Sequence, residues 1–253
     1  TFLKEYVANI ASDKDIVKLY ESAGNLSTAK LASEINKGAL FVNFAGHGDP
    51  GTTPIFSAGW LLDWVIPVIW WNAFGISDVQ SLTNGFKLPV VTTMSCSTAR
   101  FDDTDCIGEH FVLEPDGGSI AYFGATRIAW GYFDEWAPYG LMGEMDRRIY
   151  ENFYEGSTRL GQIWGESVGE YVQSHIWDYQ YASEYDVKTV MEFILLGDPS
   201  LGVCQEWDAS TVYFEGAYNK LQSGSSWSKV SDSSSWSGLV MKASASSPNG
   251  GRL

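Results

Sequence analysis

Cys96 and His47 are the two residues in this chain whose types and settings suit covalent chemistry. A thiolate attacks carbonyl carbon once a base or a positive field draws off its proton. Histidine is the side chain that exchanges a proton near neutral pH. His47 stands in Gly46-His47-Gly48, at the end of the apolar run Ala39–Ala45. Its flanking glycines carry no side chains that would block a substrate. Cys96 stands at the end of a second run, Leu88-Pro-Val-Val-Thr-Thr-Met-Ser95. Short, nearly all-apolar runs closed by glycine or polar residues read as buried strands. In open parallel α/β sheets, ligand chemistry gathers at the carboxyl ends of strands. A histidine and a cysteine at the ends of neighbouring strands would form the nucleophile and acid–base pair of acyl transfer.

The other thiols and imidazoles have simpler explanations. Cys106 opens an amphipathic helix, and Cys204 ends a strand near a change in composition, so packing accounts for both. Three cysteines make an odd and low number, which excludes a disulfide scaffold. His110 and His175 lie on helical stretches and read as structural or exposed. Cys106 and His110 are spaced to share a metal, but two ligands are too few for structural zinc. Asp102, Asp103 and Asp105 cluster beside the Cys96 loop. Clustered carboxylates suit Ca²⁺; they equally suit basic substrates or a solvated surface. No cofactor is required by the chemistry.

The elements that must hold Cys96 and His47 follow from periodicity. Phe2, Tyr6 and Ile10, then Ile16 and Tyr20, predict helix from Thr1 to Gly24 with a break at Ser12 or Asp13. Ser27 caps a second helix carrying Leu31 and Ile35, stopped at Gly38. Asp49–Phe74 reads as a long loop rich in proline, glycine and tryptophan (Trp60, Trp64, Trp70, Trp71). Such a loop serves as a binding lip or packs onto the core. Ser77 caps a short helix through Val79 and Leu82. Cys106–Leu113 is helical, Pro115–Gly118 a turn, and Ser119–Phe123 a third buried strand. Gly131–Pro138 is a second aromatic loop. Long helices follow, one with Leu141, Met145, Ile149 and Phe153 and one with Leu160, Trp164 and Val168. Asp186–Leu195 is predicted helical, with a last short strand ending at Val203. Strand, helix and strand alternate, which argues for parallel βαβ units in an α/β fold.

The chain has 253 residues, 45% hydrophobic, with 11 tryptophans and a formal charge of −15. Such a composition folds around a sizeable core. Its charge repels nucleic acid and anionic membranes and favours cations or basic substrates as partners. No run approaches the about 20 apolar residues of a membrane span. The chain opens at Thr1 rather than Met, which suggests a processed piece of a longer precursor whose missing N-terminal segment is a partner. Near Gln205 serine, glycine and tryptophan take over. Residues 205–253 are expected to be a linker or the start of a truncated β-sandwich module, and residues 1–204 the catalytic domain.

The order of these pieces resembles the caspase-like clan of cysteine peptidases, in its gingipain branch. The residues that carry the resemblance are Gly46-His47-Gly48, Cys96-Ser-Thr-Ala-Arg-Phe-Asp102, Cys106-Ile-Gly-Glu-His-Phe111, Gly117–Thr126, Trp136-Ala-Pro138 and Gly197-Asp-Pro-Ser-Leu201. The resemblance implies a three-layer sandwich with a mostly parallel sheet flanked by helices. It implies a secreted endopeptidase acting on proteins or peptides through a thioester on Cys96, with His47 as proton donor and acceptor. Backbone N–H groups of Gly48 and Cys96 would form the oxyanion hole, and Trp136 would cover the primary specificity pocket, with Trp130 as its rival. Sortase-like transpeptidases of the same family and catalytically silent scaffolds are the alternatives. The family's acid behind the histidine lies well upstream of it, and Glu5, Asp13, Asp15, Glu21 and Glu34 give no matching motif.

Overall fold

Val90 and Val91 are neighbours on one strand, both fully buried, and they belong to two different cores. Successive side chains of a strand point to opposite faces, so this sheet is covered on both sides. Tyr122 and Phe123 repeat the pattern on the next strand. The structure, a computed structural model, describes residues 2–57, 70–72, 74–102, 105–178, 180, 182–203, 213–220, 227–229 and 239–244.

In chain order the helices of the first unit are α1 (Phe2–Ile10), α2 (Thr28–Lys37), α3 (Ile76–Val79), α4 (Ile107–Leu113), α5 (Leu141–Tyr154), α6 (Leu160–His175) and α7 (Glu184–Glu192). The strands are β1 (Phe41–Ala45), β2 (His47–Asp49), β3 (Thr52–Ser57), β4 (Trp70–Asn72), β5 (Val90–Met94), β6 (Ala121–Ala125) and β7 (Phe193–Gly197). The central sheet runs β1-β5-β6-β7. Its first three strands are parallel, and β7 is antiparallel to β6. On one face Val90, Phe123 and Phe193 pack against Met145, Ile149 and Phe153 of α5 and Leu160 of α6. On the other, Phe44, Val91 and Tyr122 meet Leu31 and Ile35 of α2 and Phe111 of α4. The result is the expected three-layer α/β/α sandwich with a mostly parallel sheet. Each fully buried large apolar side chain contributes roughly 1.5–3 kcal/mol.

Local chemistry places the ends. The Ser27 hydroxyl accepts from the Lys30 amide, and Gly38 closes α2. The Cys106 amide donates to the Glu109 carboxylate at the start of α4. Five expectations are corrected. Residues 15–20 are neither helix nor strand. There the Asn25 side chain takes the Tyr20 amide and the Lys18 carbonyl, while Lys18 and the Tyr20 hydroxyl reach Glu5. These side-chain bonds override the apolar period. Residues 49–74 hold strands: β2, β3 and β4 form a small antiparallel sheet. Trp60 and Trp64 lie outside the described residues. The Gly75 amide, bonded to the Asp78 carboxylate, starts α3 in place of Ser77. Helix α7 ends at Glu192, and the apolar run after it is β7 rather than more helix; a short apolar run fits either period. At the expected last strand there is a single bridge, Gly202 with Arg159.

Residues Cys204–Leu253 make a second unit. Strands β8 (Tyr213–Lys220), β9 (Trp227–Lys229) and β10 (Leu239–Ser244) form an antiparallel sheet in the order β10-β8-β9. Among the described residues, no helix is long and apolar enough to cross a membrane.

A polar network is buried between the sheet and α5. The Asn43 amide donates to Thr92 Oγ1 at 2.7 Å and to both Asp146 oxygens at 2.9 and 2.7 Å. The Tyr150 hydroxyl meets Thr92 Oγ1 at 2.9 Å. Lys4 of α1 donates to the Asn43 carbonyl at 3.4 Å. Burial pushes the Asp146 carboxyl up to about 6, against the hydrogen bonds from Thr92 and Asn43 and the charge of Lys4. Burial pulls Lys4 down to about 8. An acid with a raised folded pKa keeps its proton longer in the folded state than in the unfolded chain. Stability from Asp146 is therefore present below its ordinary 3.8 and is lost as pH rises to about 6. The shift corresponds to about 3 kcal/mol. Asp146→Asn should flatten this fall, measured as melting temperature between about pH 4 and pH 6; an unchanged slope would show that Asp146 does not titrate there.

Candidate active site

Strands β1 and β5 pair rung by rung, from Phe41 with Val90 to Ala45 with Met94. The ladder continues one step further, where the Gly46 amide donates to the Met94 carbonyl at 3.1 Å. His47 lies two residues beyond Ala45, and Cys96 two beyond Met94. The two leave the same rung of the sheet on adjacent strands. Gly48 makes the approach close. A Cβ there would lie 2.6 Å from Ser95 Cβ, 2.9 Å from Thr98 Cγ2 and 3.0 Å from the Cys96 carbonyl oxygen. Only a residue without a side chain lets the two segments meet.

The histidine side is a strand rather than the expected loop. His47 opens β2 and pairs with Ile55 of β3. The small sheet is fastened to the cysteine side by the Thr53 hydroxyl, which donates to Ser95 Oγ at 2.8 Å, both groups fully buried. Beyond Asp49, the Pro50 carbonyl accepts from the Ile107 amide of α4 at 2.6 Å.

The cysteine side is a tight turn. Ser97 has φ +57°, in the left-handed region that a residue with a side chain occupies at a cost of about 1–2 kcal/mol. Its amide bonds the Arg127 carbonyl at 2.9 Å, the Ala99 amide bonds Ala125 at 2.9 Å, and the Thr98 carbonyl receives Gly108 at 3.0 Å. Strain held by surrounding bonds is typical of functional sites. Cys96 is half-buried, and its thiol donates to the Ala129 carbonyl at 3.6 Å. His47 is exposed to solvent.

Two of the rival groups, Cys106 and His175, are accounted for elsewhere. Cys106 is buried, and burial drives its thiol up to about 11, so it stays protonated near neutral pH. Cys204 lies outside the described residues. His175 Nε2 is 2.9 Å from the buried Glu144 carboxylate, and its ring lies 4.6 Å from that of Tyr171. It stands in a helix-to-helix network with Arg148 and Glu170.

Trp130 and Trp136 lie on the segment that follows β6. Trp130 comes directly after Ala129, the residue that receives the Cys96 thiol, and its ring meets Tyr185 of α7 edge-on at 5.4 Å. Trp136 sits on the 3₁₀ turn Asp134–Tyr139 and is 64% exposed. Ile128, Tyr132 and Phe133 are exposed on the same segment. Contiguous exposed apolar groups of this kind mark binding surfaces. The turn is held at Gly143 of α5, where a Cβ would fall 1.9 Å from the Ala137 carbonyl. An open cavity of about 550 Å³ lies alongside, lined by Thr126, Arg127, Glu184, Val187, Lys188 and Met191 among others. Lys188 reaches the Ile128 carbonyl from α7.

Asp102 is already engaged. Both its oxygens receive the Arg127 guanidinium, at 3.0 and 2.7 Å, and this pairing holds its carboxyl below the usual range. A divalent cation there would have to displace the guanidinium. Asp103 lies outside the described residues, and among the described residues no three metal-ligating side chains cluster. Thr53, Arg127, Ala129 and Lys188 were not anticipated from sequence. A signal existed only for Thr53, since Thr52-Thr-Pro-Ile-Phe-Ser57 is rich in β-formers.

Fold and site together define a caspase-like α/β frame with a cysteine and a histidine on adjacent strand ends. A model of peptidase family C25 matches residues 2–204, and the chain belongs to that family, the gingipain family. Two solved structures share the fold. One is the crystal structure of the Arg-specific cysteine proteinase gingipain R (RGPB), with TM-score 0.59 and 20% identity over 79% of this chain and 42% of that one. The other is the complex of Porphyromonas gingivalis RgpB pro- and mature domains, with TM-score 0.59 and 19% identity over 79% and 43%. This chain thus spans less than half the length of the structures it matches. No curated protein matches it at a significant level.

Gly48→Ala should separate the two halves of the site. The overpacked contact is expected to cost about 2 kcal/mol and to lower the melting temperature by about 4–8 °C. A melting temperature within a degree of the parent would show that the approach of Gly48 to Ser95 is loose.

Proposed function

We propose that this chain is a cysteine endopeptidase in which Cys96 is the nucleophile and His47 the proton carrier. The reading is carried by one observation: His47 and Cys96 emerge from the same rung of adjacent parallel strands. Family membership supports it. The Cys96 sulfur attacks the scissile carbonyl carbon, and an S–C bond forms as the C–N bond breaks. His47 gives its proton to the departing amine. Water then attacks the thioester, His47 takes its proton, and the C–S bond breaks to release the acid product and restore the Cys96 thiolate beside the protonated His47. Backbone N–H groups of Gly48 and Cys96 stabilise the oxyanion, where preorganised donors contribute most. The exposed Trp130 and Trp136 receive the substrate side chain. The enzyme is secreted and meets a further polypeptide segment of its precursor, as the pro- and mature domains of RgpB meet in their complex; both statements rest on the family alone.

Cys96→Ala should abolish cleavage of a pooled peptide library, together with iodoacetamide labelling of the site, while circular dichroism stays unchanged. His47→Ala should lower kcat by about 100-fold or more. Full turnover in the Cys96 variant would refute the assignment. If Asp102, Asp103 and Asp105 hold a Ca²⁺, EDTA should lower the melting temperature; an unchanged value removes the ion from the proposal.

A further inference from the structure

Thr98 is fully buried, and glycines of three different elements close around it. On the histidine side, Thr98 Cγ2 stands 2.9 Å from where a Cβ on Gly48 of β2 would lie, and Ser95 Cβ closes the other side of that glycine. On the sheet side, Thr98 Oγ1 stands 3.0 Å from where a Cβ on Gly124 of β6 would lie. A third glycine, Gly108 of α4, gives its amide to the Thr98 carbonyl at 3.0 Å, and a Cβ there would come as close to the same oxygen. In a close-packed interior, a side chain at any of the three would press on Thr98.

The backbone on either side of Thr98 is fastened. The Ser97 amide is bonded to the Arg127 carbonyl and the Ala99 amide to the Ala125 carbonyl, both at 2.9 Å. These carbonyls belong to the end of β6 and the segment just beyond it. A β-branched side chain is also stiff about its first torsion. The two branches of Thr98 fill the space between Gly124 and Gly48, so the position of β6 is passed through one rigid residue to the backbone of Gly48. Cys96 leaves the same turn two residues earlier, and its carbonyl oxygen lies 3.0 Å from where the Gly48 Cβ would be.

We infer that Thr98 is a positioning residue for the oxyanion hole, its methyl group setting the place of the Gly48 N–H relative to the Cys96 N–H. The inference rests on the peptidase reading, in which those two groups receive the oxyanion. Thr98 touches no reacting atom. It acts through Gly48, and its effect belongs to the transition state, where such donors bond most strongly. A displacement of about 1 Å at an active site can lower the rate roughly 100-fold. The branching, rather than the hydroxyl, is what the arrangement needs. Serine keeps the oxygen and leaves a gap against Gly48; valine keeps both branches.

Steady-state kinetics of the full chain test it, with a peptide taken from those the parent cleaves in the pooled library. Thr98→Ser should lower kcat about tenfold with KM within about twofold of the parent. Thr98→Ala should lower kcat further, and Thr98→Val should recover it to within about threefold of the parent. Any effect of losing the hydroxyl beside Tyr122 and Thr93 falls on the melting temperature rather than on kcat. Iodoacetamide labelling of Cys96 needs no oxyanion donor and should proceed at one rate in all four proteins. In the substrate-free proteins, the Gly48 amide resonance should broaden in Thr98→Ser and Thr98→Ala and stay sharp in Thr98→Val. Full kcat in Thr98→Ser, equal losses in Thr98→Ser and Thr98→Val, or a labelling rate that falls with kcat would overturn the inference. A parent that cleaves nothing counts against the peptidase reading instead, and the Gly48 resonance then decides. A sharp signal in all four proteins overturns the positioning role, whereas broadening that valine alone relieves supports it.

Discussion

The parallel pairing of β1 with β5 is the constraint on which the site depends. The sheet brings two stretches of chain, distant in sequence, to a common rung, and each stretch then leaves with one reactive residue. Everything else near the site preserves that alignment. The Thr53–Ser95 hydroxyl bond ties the histidine side to the cysteine side, and the Pro50 carbonyl ties it to α4. A turn on one strand alone could place one group; only the ladder places both.

The frame carries costs that its packing must offset. Ser97 is held in a left-handed conformation by its bond to Arg127. Asp146 and Lys4 lie where burial disfavours the charge on each. Buried charges seldom add net stability, although breaking one partner from the other is strongly unfavourable. Asn43 is the hinge of the arrangement, because its amide holds Asp146 on the α5 side while its carbonyl faces Lys4. Strand β1 is thereby linked to both α1 and α5, just upstream of His47.

Much of the frame could be read from residues alone, and the reasons are local. Alternation between short apolar runs and helical periods identified β1, β5, β6, α2, α4, α5 and α6, because their buried faces follow one period each. Ile16–Tyr20 misled, since its apolar spacing is overruled by Asn25 and Glu5, partners that periodicity does not reveal. The strand β7 was absorbed into a helix because Phe-Ile-Leu-Leu satisfies both periods. Cys96 and His47 stood out through glycine punctuation and strand ends. Arg127 and Lys188 did not, since their roles lie in backbone carbonyls brought close by the fold, and a charged residue on an exposed loop or helix carries no mark of such a role.

Gly143 gives the structure an asymmetry in what it can change by inheritance. Any side chain there would strike the Ala137 carbonyl and displace the turn that bears Trp136. The rings of Phe133 and Trp136, by contrast, are largely exposed to solvent. Descendants of such a gene can therefore exchange the exposed rings one at a time, and with them the shape offered to a substrate, while the platform beneath stays fixed by the one residue that has no side chain to exchange. Diversity in what such proteins recognise would accumulate along Ile128–Trp136, and uniformity at position 143.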